Sequence, residues 1–269
     1  MSRIVNKVIA ITGAASGLGK LLSEKLAQDS NHLILIDRDQ LGLTRISDSL
    51  KALNSKIEIT TIVSDLSKLQ SIRETSTTLS KIEVDILVNN AGIVSGKEIL
   101  DLTNQNIIDT FMVNSIAPQI LTRSVLGNMI NRNSGQIVNL CSVSSFVGVA
   151  KLSDYAASKA AIYNFNESLR LEMKKGKHDI STTAFCPFYI NTGMFDGVKT
   201  RFSFLLPILE PTYVVNRLYK AIFSREKRVI LPRLVYATFL VKILPVSIFD
   251  ILLNFFGINS SMDEFKGKK

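Results

Sequence analysis

The sequence is short of the residues that staple or metallate small folds. Of its 269 residues only two are cysteine, Cys141 and Cys186, and two are histidine, His32 and His178. Each cysteine ends an apolar run, which reads as two buried, reduced thiols in a reducing compartment rather than a disulfide framework. The histidines are isolated, and neither has cysteine or paired carboxylates at ligand spacing, so no metal site is expected. Zinc-finger spacing and an aromatic-rich RNA-binding signature are both missing, and the basic residues are dispersed rather than striped. Nucleic acid is therefore rejected as a partner. Met1 to Lys7 is polar, unlike a secretory signal, and no low-complexity tract, linker or internal repeat interrupts the chain. The resulting expectation is a cytoplasmic protein. No apolar run reaches the ~20 residues a membrane-spanning helix needs.

What is present is a globular composition, 46% apolar and 20% charged, of a length that suits one large α/β domain. The balance of 32 Lys and Arg against 23 Asp and Glu, +9 net, favours an anionic partner such as a phosphate-bearing cofactor or an acidic membrane surface.

Val8 to Thr12 is a short apolar run that breaks at Gly13-Ala14-Ala15-Ser16-Gly17-Leu18-Gly19, before the helical period of Leu21, Leu22, Leu26 and Ala27. A strand, a glycine turn and a helix start bring free N–H groups and a helix dipole to one point, which favours a pyrophosphate. The spacing is Gly-x-x-x-Gly-x-Gly rather than the commoner Gly-x-Gly-x-x-Gly. A second run, Leu33 to Ile36, ends in Asp37, 18 residues after Gly19. A carboxylate there can accept the adenosine ribose hydroxyls and repel a 2′-phosphate, which favours NAD, while the adjacent Arg38 keeps NADP in view.

The alternation continues with helix over Leu41 to Leu53, strand over Ile57 to Val63, helix over Lys68 to Ser80 and strand over Ile86 to Val88. Asp65-Leu66 follows the third strand, where a side chain can bond an adenine amino group or simply form a turn. Asn89-Asn90-Ala91-Gly92 closes the fourth, leaving room for a ribose. Thr103 to Asn131 reads as one long helix with Asn114 on an apolar stretch ahead of Pro118, which suggests a kink holding water or a satisfied core asparagine. Gly135 to Leu140 is the fifth strand and runs into Ser142.

Ser153 to Lys159 reads Ser-Asp-Tyr-Ala-Ala-Ser-Lys and places Tyr155 and Lys159 one helical turn apart. A lysine charge beside a phenol favours the phenolate and makes Tyr155 a candidate proton shuttle. A sixth strand, Ile180 to Cys186, leads into Pro187-Phe188-Tyr189-Ile190-Asn191-Thr192-Gly193. The segment Met194 to Pro211 is rich in Phe and Leu, a lid over a pocket or a loop packed on the core. Helix is expected over Thr212 to Ser224 and a last strand over Val229 to Leu231.

The tail, Arg233 to Ile258, is mostly apolar but broken by Lys242, Pro245, Asp250 and Asn254. It reads as two short helices around Pro245, lying in a membrane interface or packed on the catalytic domain, with Lys266, Lys268 and Lys269 as a basic end. An oligomer contact or a lid is an equal alternative.

Thr12 to Gly19, Asp65, Asn89 to Gly92, Asn114, Ser142, Tyr155 and Lys159, in this order and spacing, resemble the short-chain dehydrogenase/reductase family over residues 5 to 232. The resemblance implies a doubly wound Rossmann-like α/β fold, with a seven-stranded parallel sheet and helices on both faces. Residues 1–232 would be the catalytic domain and 233–269 an apolar helical extension of it. It also implies Tyr155 as general acid/base, Lys159 as the group that lowers its pKa and binds the nicotinamide ribose, Ser142 as the residue orienting the substrate oxygen, and Asn114 as holder of a water.

By the same resemblance Gly13, Ser16, Gly17, Leu18, Gly19, Asp37, Arg38, Asp65, Leu66, Asn90, Ala91 and Gly92 form the cofactor set. Tyr155, Lys159, Pro187, Ile190 and Thr192 complete it, with Thr192 on the carboxamide. Phe188 departs from the glycine usual after that proline.

Within the family, Cys186 to Phe195, Val229 to Tyr236 and the tail ending Ser261-Met-Asp-Glu-Phe265 resemble the membrane-associated retinol and 17-beta-hydroxysteroid dehydrogenase branch. An N-terminal anchor frequent in that branch is not seen, which leaves peripheral membrane contact to the tail. The expectation is an NAD-preferring oxidoreductase of a hydrophobic alcohol or carbonyl, working as a homodimer or homotetramer. A β-ketoacyl-thioester reductase and a non-catalytic dinucleotide-binding scaffold are the alternatives. Asp37 and the 37 residues beyond Pro232 argue against the first, and the intact Asn114, Ser142, Tyr155 and Lys159 set against the second.

Overall fold

Seven apolar runs become seven parallel strands in the computed structural model, which describes residues 3–29 and 31–267. Lys268 and Lys269 of the predicted basic end lie outside the described residues. The strands are β1 (Val8–Thr12), β2 (His32–Asp37), β3 (Glu58–Val63), β4 (Ile86–Asn89), β5 (Gly135–Leu140), β6 (Ile180–Pro187) and β7 (Arg228–Leu231). They form one sheet in the order β3-β2-β1-β4-β5-β6-β7. β1 pairs with β2 from Val8↔His32 to Thr12↔Ile36 and with β4 from Ile9↔Ile86 to Ile11↔Val88. The winding reverses between β1 and β4, so the loops that follow them diverge and open a crevice at the carboxyl ends of the strands.

A parallel sheet is covered on both faces, which is why its central strands are buried along nearly their whole length. Successive side chains alternate between two cores. Ile9, Ile11, Leu33, Leu35 and Val88 point to one face, where α1 (Gly17–Ala27), α2 (Gln40–Leu53) and α7 (Pro211–Phe223) bury Leu22, Leu26, Leu43, Ile46, Leu218 and Ile222. Ala10, Ile34, Ile36 and Leu87 point to the other, against α3 (Leu69–Leu79), α5 (Ala117–Arg132) and α6 (Ser153–Lys175) through Ile72, Leu121, Val125, Met129 and Leu169.

A row of amides crosses this second interface. The Asn89 amide donates to Asn139 Oδ1 (2.8 Å) and to Thr122 Oγ1 (3.2 Å), and the Asn139 amide donates to Asn166 Oδ1 (3.0 Å). Asn89 and Asn139 are register partners in β4 and β5, so the row ties the sheet centre to α5 and α6.

The long helix expected over Thr103 to Asn131 is interrupted. It is α4 (Asn104–Phe111), a π-helical turn (Met112–Ile116) and α5, whose second residue is Pro118. The missing Pro118 N–H disrupts the regular helical ladder and widens the turn that carries Asn114. The two short helices expected around Pro245 are α8 (Ala237–Val241) and α9 (Val246–Phe255). They pack on the sheet-and-helix body, Phe239, Phe249 and Leu253 resting against Cys141, Phe146, Tyr163 and Val235.

Candidate active site

The glycine turn is built by close approach. Gly13 adopts φ +67°, and a Cβ there would stand 3.0 Å from the Ala91 Cα, so the turn after β1 lies directly on the backbone that follows β4. Thr12 fastens the two: its Oγ1 accepts N–H bonds from Asn90 and Ala91, both 3.0 Å. The Asn90 amide returns to the Thr12 carbonyl at 2.8 Å. Ser16 caps the start of α1 and Gly17 and Leu18 open it, where the positive end of the helix dipole favours an anion.

Asp37 ends β2 with both carboxylate oxygens engaged. Oδ2 accepts from Ala15 N and Oδ1 from Asp39 N, each at 3.0 Å. Each oxygen keeps a further lone pair for a sugar hydroxyl. Asp65 follows β3 and accepts from Ser67 N at 3.0 Å. Burial alone would raise its pKa, but the Ser67 hydrogen bonds and the charges of Arg38 and Lys68 outweigh that and lower it.

At the centre, α6 sets Tyr155 and Lys159 one turn apart and buries both, at 5% and 4% exposure. The Lys159 ammonium donates to the Leu140 carbonyl at 2.7 Å, docking α6 on the end of β5, and lies 5.7 Å from the centre of the Tyr155 ring. Ser145 Oγ donates to the Lys159 carbonyl at 2.8 Å. The Ser142 hydroxyl accepts from Ser144 N and faces the same cavity.

Asn114 holds three elements together: its amide donates to Ile93 O (2.9 Å) and Ser158 Oγ (3.0 Å), while Oδ1 accepts from Ile93 N (2.8 Å). A Cβ on Gly92 would stand 3.4 Å from both Asn114 Oδ1 and Lys159 Nζ, so the two polar atoms border one small space.

Electrostatically the pair differs from the expectation drawn from spacing. Burial pushes the Tyr155 phenol above its ordinary value, opposed by the Ser142 hydroxyl and reinforced by Tyr189 and Cys141. Burial also pushes Lys159 down to about 8, against the Cys141 and Cys186 thiols, which favour its charge. Spacing brings the two groups together, but desolvation of both charged forms governs their pKa values in this protein.

One cavity of about 920 Å³ collects nearly all the residues singled out by sequence. Its walls include Gly13, Ser16, Gly17, Leu18, Asp37, Arg38, Asp65, Leu66, Asn90, Ala91 and Gly92. Ser142, Tyr155, Lys159, Pro187, Ile190 and Thr192 share it. Gly19 and Asn114 stand behind the wall. A Cβ on Gly19 would lie 2.1 Å from the Gly13 carbonyl oxygen, so a glycine here lets α1 pack under the turn. Phe188, where a glycine is usual, is part of the apolar wall, its ring 4.6 Å from that of Tyr189.

Sequence reading missed Asp154. This buried carboxylate accepts from the Tyr155 N–H (2.8 Å), the Ser95 hydroxyl (2.8 Å) and the Thr110 hydroxyl (2.9 Å), and so fixes the first turn of α6. Of the readings open for the tail, the lid is the one its inner side fits: Val241, Phe249, Leu252, Leu253 and Phe256 line the cavity.

The family model "short chain dehydrogenase" matches residues 7–201. The chain belongs to the short-chain dehydrogenase/reductase family. It is 34% identical over 266 residues to short-chain dehydrogenase/reductase family 16C member 6 of Bos taurus, covering 97% of this chain and 84% of that protein. It is 34% identical over 270 residues to epidermal retinol dehydrogenase 2 of Homo sapiens, covering 99% and 87%. The fold matches that of a short-chain dehydrogenase from Sphingobium yanoikuyae, solved in complex with NADPH, at a TM-score of 0.79 and 24% identity, covering 92% of this chain and 95% of that one. The protein is thus an oxidoreductase acting on CH–OH groups.

The depressed Lys159 value gives a pH prediction. Below pH 8 the ammonium is charged in the folded and unfolded states, and its burial cost is fully present. Between pH 8 and the ordinary 10.5 the folded state sheds the proton first, so the unfolded state binds more protons and stability rises with pH. The unfolding free energy of the wild type, measured relative to Lys159→Met, should therefore increase across that window by up to about 3 kcal/mol. A difference that stays flat from pH 7 to 10.5 would contradict the assigned burial cost.

Proposed function

We propose that this oxidoreductase is an NAD-preferring dehydrogenase of apolar alcohols, interconverting a secondary or allylic alcohol of retinoid, steroid or other lipid-like kind with its carbonyl. One observation carries the reading: Tyr155, Ser142 and Lys159 open onto the same cavity as the apolar tail helices, so the reacting oxygen would sit beside walls suited to a hydrocarbon body. The name of the human relative, a retinol dehydrogenase, supports the same substrate class.

The residues present fit a nicotinamide dinucleotide. The Gly13 turn is cut back so that no side chain fills the approach to α1, and the Gly17 to Leu18 helix start would hold the pyrophosphate. Asp37 would take the adenosine ribose and disfavour a 2′-phosphate, and Asp65 would reach the adenine amino group. Asn90, Ala91 and Gly92 would border the nicotinamide ribose with Lys159, while Pro187, Ile190 and Thr192 would border its amide. When bound, the nicotinamide supplies the hydride chemistry.

The chain's own residues do the rest. Ser142 Oγ would hold the substrate oxygen against Tyr155. Tyr155 Oη would exchange the proton with that oxygen, donating it for carbonyl reduction in the neutral form that burial favours and accepting it in alcohol oxidation. Lys159 would stabilise the phenolate as it forms, and Asn114 would fix the space through which the lysine reaches water. Asp154 would keep Tyr155 in place through its backbone N–H.

The tail supports a peripheral membrane contact. Its two helices and the turn between them present apolar side chains inward and outward: the inner ones line the cavity, while Leu240, Ile243, Val246 and Ile251 lie 66–80% exposed. Exposed apolar side chains on the outer side suit a lipid interface, and an anionic lipid surface suits a chain of net charge +9. Among the described residues no helix is long and apolar enough to cross a membrane, so the contact would lie in the interface.

Three outcomes are expected. Tyr155→Phe should lower kcat by at least about 1,000-fold while NADH affinity stays within about twofold; near-normal turnover would refute the proton-transfer role. In Asp37→Ala the ratio of kcat/KM for NAD over NADP should fall by about tenfold, and an unchanged ratio would remove Asp37 from cofactor selection. The double variant Ile243→Glu/Ile251→Glu should stop co-sedimenting with anionic liposomes while keeping its NADH affinity. Undiminished co-sedimentation would exclude the tail as the contact.

A further inference from the structure

Beyond α9 the described residues, to Gly267, stay on the domain. The chain returns across the mouth of the active site as a strap, and the bonds that hold it come from both sides of the cavity. Tyr189 and Ser261 share a hydroxyl hydrogen bond of 2.9 Å, buried on both partners. Lys199 N donates to the Ser261 carbonyl at 3.2 Å, and Lys266 N donates to the Asp196 carbonyl at 2.9 Å, so the strap and the loop after β6 form one unit. Ion pairs Lys199–Glu264 (2.7 Å) and Lys151–Asp263 (3.7 Å) flank it, exposed enough to contribute only weakly.

The strap carries two apolar anchors. Met262 is 1% exposed and packs with Leu152, Tyr155, Tyr189 and Val198, the cluster immediately around the candidate proton donor. Phe265 lines the cavity itself. Its ring occupies the space a side chain at Gly96 would need: a Cβ there would fall 2.0 Å from a ring carbon. Gly197 makes the same allowance for the strap backbone, since a Cβ would lie 2.1 Å from the Glu264 carbonyl oxygen. Two loops far from the tail in sequence are thus cut back to glycine where the strap crosses them, and both glycines take positive φ, +65° and +85°. From Phe265 a ladder of rings leads to the chemistry. Phe265 and Phe195 centroids are 6.4 Å apart, and Phe195 meets Tyr155 edge-on at 5.7 Å.

We propose that Phe265 is a substrate-specificity residue: it supplies the wall, next to Phe195 and Tyr155, against which the apolar body of the alcohol packs. The assignment rests on the dehydrogenase reading above and adds to it the residue that selects for size and flatness. An aromatic wall beside the reacting oxygen favours a conjugated chain or fused ring over a short alkyl group, through contact area and ring-edge packing. The tail then selects the substrate directly, by one side chain placed at the site.

The test uses the full chain with NAD, comparing wild type, Phe265→Ala and Phe265→Leu on a polyene alcohol of roughly 20 carbons and a secondary alcohol of about four. Phe265→Ala should lose about tenfold or more in kcat/KM on the long alcohol, carried mainly by KM, and change less than about threefold on the short one. Phe265→Leu, which keeps most of the apolar volume, should recover the larger part of the loss. Equal losses on both alcohols would show a merely structural side chain and overturn the proposal, as would no loss on the long one.

Equilibrium binding of the same fluorescent polyene alcohol to the NADH complex separates this claim from the reading it rests on. Weaker binding to Phe265→Ala, with no turnover by any form of the protein, would defeat the dehydrogenase reading and keep the wall. Binding unaffected by the substitution would defeat the wall.

Discussion

A buried ammonium must find an acceptor, and the position of Lys159 is the constraint on which the rest of the site depends. With almost no exposure to water, its Nζ donates to the carbonyl of Leu140, the last residue of β5. That bond sets the height of α6 above the sheet, and with it the height of Tyr155 one turn earlier. Ser145, donating to the Lys159 carbonyl, ties the turn after β5 to the same helix and brings Ser142 to the same cavity. Asp154 and Asn114 complete the frame from the other side, one holding the Tyr155 N–H and the other bridging the π-helical turn, the loop after β4 and Ser158. The protein accepts the cost of desolvating a lysine in return for fixed placement of a phenol.

The sheet explains why such a frame stands where it does. Reversal of winding between β1 and β4 opens the crevice. The glycine turn and the Asn90-Ala91-Gly92 segment keep it free of side chains, and Asp37 marks one end. The other end is finished by the tail and the strap after it, so the cavity combines a polar floor with apolar walls. A single continuous volume joins the two, and the proposed lipid-like alcohol would occupy its apolar half.

Most of this frame was legible from local sequence because it is made of local signals. β1 and β5 fall where the apolar-rich runs place them, and the pair of tail helices falls on either side of Pro245 as its break predicts. Tyr155 and Lys159 are one helical turn apart in any helix. Other features depend on contacts that no short stretch encodes. The apolar period continues unbroken through Met112–Ile116, so the sequence around Asn114 signals a kink but not a π-helical turn. Gly19 shares the glycine motif and lets α1 pack under the turn, a role visible only once the Gly13 carbonyl is seen beside it. The effect of Lys159 on Tyr155 reads as a charge effect from spacing, whereas burial of both residues governs their pKa values. The crossing of Phe265 over Gly96 leaves no trace in the residues near either.

The central claim is that this protein moves hydride from the carbinol carbon of an apolar alcohol to a nicotinamide, with the substrate seated between Tyr155 and the tail. Its most direct test is isotopic: incubate the full chain and NAD with a long apolar alcohol deuterated at the carbinol carbon, and locate the label. The account predicts reduced cofactor carrying deuterium at C4 of the nicotinamide, with none released to water. Absence of cofactor reduction, or label appearing in solvent instead, would contradict it.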